Sequence, residues 1–67
     1  MTNEEFGRHL WVLMVTHGWG SVKEFAKASG VYYHTLLGYV SGDHEPTRRK
    51  LCRIREALGC TWEELLG

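Results

Sequence analysis

Helix punctuation constrains this chain more than any other feature. The stretches Thr2 to Glu5, Ser21 to Glu24 and Thr61 to Glu64 each place a hydroxyl three residues ahead of a glutamate. In a capping box the hydroxyl accepts a free amide of the first turn, and the glutamate reaches back to the cap residue's own amide. Thr47 is a further hydroxyl at a helix-starting position. Glycines stand where helices must stop, at Gly18 and Gly20, at Gly30 and at Gly59. A chain of 67 residues marked this often has room only for short helices around a single core.

Apolar spacing fills in the rest. Phe6, Leu10, Leu13 and Met14 recur at helical period in the first segment, which ends near His17. Val22, Phe25 and Ala26 form the inner stripe of a second helix that stops at Gly30. A third helix runs from about Tyr32 to Val40, with Leu36, Tyr39 and Val40 inward, although Tyr32 is a poor capping residue. Ser41 to Pro46 is a loop by composition. The fourth helix carries Leu51, Ile54 and Leu58 inside; the short fifth carries Trp62, Leu65 and Leu66, which should seal the core. Trp11 and Trp62 are expected in the core, and Trp19 either in it or as a partly exposed lid. His9 and His17 are expected on the surface of the first helix. The predicted fold is all-α, a compact five-helix bundle forming one domain over residues 1–67, with a helix-turn-helix at about 21–40.

Composition removes several classes of function. Cys52 and Cys60 are eight residues apart; on one helix about 12 Å of rise would separate them, too far for a disulfide. No C-x-x-C or H-x-x-H pair occurs, so neither a metal nor another cofactor is expected. Free thiols fit a reducing cytoplasm. The longest apolar run, Leu10 to Val15, is too short for a bilayer, and the acidic start lacks the basic region of a signal peptide. A cytoplasmic protein with no membrane partner is expected. Gly18-Trp19-Gly20-Ser21 follows a helix rather than a strand, so it is no phosphate-cradling loop. No nucleophile–base arrangement has supporting context, and so small a domain encloses no ordinary pocket. An enzyme, or a small-molecule substrate, is not expected.

Net charge is zero, but five of the eight basic residues lie between Arg48 and Arg55. That asymmetry predicts a basic strip on an otherwise neutral body. Cations at a helix start oppose the macrodipole at about 0.3–1 kcal/mol each. Arg48, Arg49 and Lys50 therefore make poor structural sense unless a phosphate neutralises them. The plain alternative is a solvated charged face. Arg53 fits plain surface, and Arg55 fits a stem packed beside the core.

Taken together, "WGSVKEFA" with Ser21, Glu24, Phe25 and Ala26, the Gly30-Val31-Tyr32 turn, Tyr39 and Gly42, Pro46, and the ending "ALGCTWEELL" resemble the lambda-repressor-like (Cro/C1-type) helix-turn-helix family. The resemblance covers about Trp11 to Leu66. It implies a sequence-specific regulator that binds double-stranded DNA, usually as a homodimer on paired half-sites. It further implies base contacts from Tyr33, His34 and Gly38, with Tyr32 and Thr35 beside them. Phosphate contacts fall to Ser21, Lys23, His44, Thr47, Arg48 and Arg49. The chain departs from the family where Val22 replaces a common Gln, and where Tyr33, His34 and Gly38 replace the more usual Arg, Gln and Ser. Arg48 stands where a core leucine is common. Val15 and Val40 occupy positions that often hold a buried ion pair, which suggests a hydrophobic contact exchanged for it.

Base reading survives without Arg or Gln. Tyrosine and threonine hydroxyls donate and accept, an imidazole does both, and Leu37 or the Thr35 methyl can meet a thymine methyl. Gly38 lets main chain approach either DNA or a neighbouring helix. The expected function is a repressor-like transcriptional regulator acting by occlusion or recruitment, of a minimal size that fits a phage or mobile element. The alternative is a protein-interaction module on the same scaffold, with Tyr32, Tyr33 and Leu37 as an aromatic contact patch.

Overall fold

The computed structural model describes residues 2–67. Among them the chain forms five α-helices and no strand: α1 Asn3–Thr16, α2 Val22–Ser29, α3 Tyr33–Ser41, α4 Arg48–Leu58 and α5 Trp62–Leu66. Local chemistry sets most of these starts. Thr2 Oγ1 accepts the Glu5 amide at 3.1 Å while Glu5 Oε1 accepts the Thr2 amide at 3.0 Å. Thr61 and Glu64 repeat the pair at 3.1 and 3.0 Å. In each box the accepted backbone amide is the main reason the carboxyl is held below the usual glutamate range. Ser21 completes half a box: its Oγ accepts the Glu24 amide at 3.1 Å, without the reciprocal bond. Thr47 Oγ1 accepts the Lys50 amide at 3.3 Å. α3 starts after Tyr32 with no side-chain cap.

The core draws on every helix. Leu10 and Met14 of α1, Phe25 of α2, Leu36 of α3, Ile54 of α4 and Leu65 of α5 are fully buried. Burying each is worth about 1.5–3 kcal/mol. Trp19 packs against this core as a half-buried lid, its ring edge-on to Phe25 at 5.2 Å.

The other two tryptophans correct the expectation. Trp11 is 43% exposed and Trp62 38%. At about 100° per residue, the run Leu10–Val15 travels right round the helix. Once Leu10 and Met14 take the core side, Trp11, Val12 and Val15 are left outward. Trp62 instead forms a shelf for Arg55, whose guanidinium lies 5.0 Å from the ring centroid. Arg55 Nη1 also donates to the Cys60 carbonyl at 3.3 Å. Leu66 is exposed as well, so Leu65 is the one residue of α5 buried in the core.

Beside the core side chains that they share, α1 and α3 approach closely at Gly7. A Cβ on Gly7 would lie 2.6 Å from the Tyr39 carbonyl oxygen and 2.9 Å from the Val40 carbonyl carbon, with the Val40 oxygen in contact too. The suggested Val15–Val40 contact does not replace a buried ion pair, because Val15 is 52% exposed. The tight approach lies at Gly7, about two turns earlier on α1. His9, expected on the surface, is half-buried, and its Nε2 hydrogen-bonds the Glu64 carbonyl, tying α1 to α5. No helix among the described residues is long and apolar enough to cross a membrane.

Candidate nucleic-acid interface

The turn between α2 and α3 decides how α3 is held out. Gly30 takes a left-handed conformation with φ 73°, and its amide donates to the Ala26 carbonyl at 3.0 Å. A Cβ is costly there, which is why glycine stands at this position. Val31 follows at once and is buried, pinning the turn to the core. Ser29, also buried, donates to Ala26 O and accepts the Val31 amide, both at 3.4 Å. From α4, Arg53 Nη1 donates to the Gly30 carbonyl at 3.2 Å. Arg53, exposed as expected, thus also braces the turn. No local pattern signals this, because its partner lies 23 residues away.

Leu36 and Tyr39 face the core from α3. At about 100° per residue, His34, Gly38 and Ser41 lie on the opposite, outward side. The first outward turn is open. Tyr32 is 68% exposed and stacks on His34, with ring centroids 5.5 Å apart and planes 28° from parallel. Tyr33 meets the same imidazole edge-on at 5.3 Å. Tyr33 is half-buried and packs against the core, so it anchors the cluster. Exposed His34 is thus flanked by two tyrosine rings, with half-buried Thr35 beside it. The second outward turn is covered. Gly38 is buried, and a Cβ built there would fall on the ring of His44. The space left by its missing side chain is occupied by a loop imidazole rather than by a neighbouring helix.

The candidate phosphate-holding residues divide into groups. Ser21 and Lys23 stand at the start of α2, half-buried and exposed respectively. Thr47, Arg48 and Arg49 stand exposed at the start of α4. The Ser21 and Thr47 oxygens each accept a first-turn amide, which leaves each hydroxyl proton free to donate. Arg48 lines a shallow cleft with Leu51, Trp62 and Leu66, about 140° round α4 from Arg53. With Arg53 on the Gly30 carbonyl and Arg55 over Trp62, the expected single basic strip is split around α4. Arg49 remains exposed without such an engagement.

Cys52 and Cys60 are free thiols. Cys60 is buried, and burial pushes its thiol above the ordinary range. The described residues contain no group of three or more His, Cys, Asp or Glu placed to hold a metal ion. What the exposed end of α3 offers is hydroxyls and an imidazole, groups that can both donate to and accept from base edges.

No curated protein and no solved structure matches the chain. The family description of the Cro/C1-type HTH DNA-binding domain matches residues 9–67, and the chain belongs to that family.

Proposed function

We propose that this protein is a sequence-specific, repressor-like transcriptional regulator that seats α3 in the major groove of double-stranded DNA and occludes a promoter. The observation that carries the reading is the open first turn of α3. Exposed Tyr32 and His34 are stacked on each other at the tip of a helix whose other side is built into the core. Tyr32, Tyr33, His34 and Thr35 meet base edges in this reading. Ser21, Lys23, Thr47, Arg48 and Arg49 hold phosphates on either side of the groove. A homodimer would place two such tips on paired half-sites. With no net charge on the chain, affinity rests on these few cations.

Titration with mixed-sequence duplexes at low and moderate salt tests the proposal. Binding should weaken steeply with salt, with a log–log slope of about −0.9 for each phosphate neutralised. Absence of duplex binding even at low salt would refute it. That outcome would favour a protein partner for Tyr32 and Leu37.

A further inference from the structure

We propose that His44, a residue of the loop after α3, reads a base pair in place of the side chain that α3 lacks at Gly38. The inference rests on the DNA-binding reading above and deepens it. Gly38 occupies the outward side of α3 one turn beyond His34, where a base-reading helix carries its next contact residue. The space that a Cβ would take there is filled by the His44 imidazole.

The loop is built to keep the ring in place. Gly42 bends it back with φ 85°. The Gly38 carbonyl then accepts the Gly42 amide, the Asp43 amide at 2.9 Å and the His44 amide at 3.3 Å, with the Ser41 hydroxyl 3.2 Å away. The single Ser41 hydroxyl proton is shared between that carbonyl and Asp43 Oδ2 at 3.0 Å, which ties the flanking residue in. His44 remains exposed while its ring lies over Gly38. Gly38 lies about 6 Å of helix rise beyond His34, roughly two base-pair steps of 3.4 Å.

Charge favours a base over a phosphate as the target. His44 sits between Asp43 and Glu45, both exposed, and two carboxylates repel a phosphate approaching the ring. A base edge carries no net charge. An imidazole N–H can donate to an acceptor such as guanine O6 or N7 in the major groove.

The test is a selection of bound duplexes from a random pool. It is followed by affinities for the consensus and its single-base-pair changes, using the full chain, His44→Ala and Gly38→Ala. Alanine suits a helix interior better than glycine, so Gly38→Ala keeps α3 while displacing the ring; circular dichroism checks this. Both variants should flatten discrimination at one and the same base pair, by roughly 5- to 100-fold, and leave the preference set by His34 in place. If His44→Ala weakens all duplexes equally, with unchanged ranking, His44 is a phosphate contact and the proposal falls. It also falls if Gly38→Ala shifts no position. A wild-type chain that binds no duplex overturns the DNA reading itself, a result distinct from either.

Discussion

Replacing Gly7 by alanine measures how firmly α1 is locked against α3. Glycine inside a helix costs about 1 kcal/mol relative to alanine, so on local grounds Gly7→Ala should stabilise α1. The tertiary contact says the reverse. The added methyl would sit 2.6 Å from the Tyr39 carbonyl oxygen and 2.9 Å from the Val40 carbonyl carbon. These are backbone atoms of a packed helix, not the end of a flexible side chain, so the two helices must separate. Overpacking of this kind costs about 1–3 kcal/mol, and sometimes more. Backbone obstacles place Gly7→Ala at about 3 kcal/mol on that scale, leaving a net loss of about 2 kcal/mol after the helix-propensity gain. In a domain of this size each kcal/mol moves Tm by about 4–8 °C, so a fall of roughly 8–16 °C is expected. Thermal unfolding followed by circular dichroism reads it directly. Gly20→Ala is the matched control, because no atom lies within 4 Å of its added methyl and its φ is not left-handed. That variant should match wild type or gain up to about 1 kcal/mol. A Gly7→Ala protein as stable as wild type would refute the close approach of α1 and α3.

Arg55→Ala removes the bond to the Cys60 carbonyl and the cation over Trp62, and should cost about 1–2 kcal/mol; a urea midpoint equal to wild type would dismiss both contacts as ornamental. Glu5 and Glu64 have folded pKa values below their ordinary ones. Their support of α1 and α5 is therefore complete above the ordinary glutamate value and lost as pH falls through the lowered one. The Thr2 and Thr61 amide resonances should titrate with that depressed midpoint, and an ordinary midpoint would contradict the boxes. His34→Ala should relax discrimination by about 1–3 kcal/mol at one base pair, while Arg49→Ala should weaken all duplexes alike; the opposite pattern would exchange their roles.

Legibility followed the range of the interaction. The caps at Thr2, Ser21, Thr47 and Thr61 involve partners three residues away, so they are legible from the local sequence: three from the spacing to a glutamate, Thr47 from a hydroxyl at a helix start. The inward residues Leu10, Phe25, Leu36 and Ile54 were legible from helical period, because burial repeats with the turn. Trp11 and Trp62 depart from the core expectation because bulk and apolarity do not say which side of a helix a residue occupies. Arg53 on Gly30, His9 on Glu64 and Gly7 against Val40 join residues distant in the chain, and no local pattern announces such pairs. The seat of His44 on Gly38 spans only six positions, yet it needs a left-handed bend and a shared carbonyl to form. Composition marked that loop as a connection and could go no further.

Among the described helices, only α3 begins without a side chain securing its first amides. Such an anchor is typically worth about 1 kcal/mol, so the leading amides of Tyr33, His34 and Thr35 should exchange with deuterium sooner than their counterparts in α2. The probing end is then the portion most readily remoulded by what it meets. On the proposed reading, docking on a duplex would still it, with an entropic penalty that lowers affinity, while the same looseness would let one protein settle onto DNA sites of slightly different groove width.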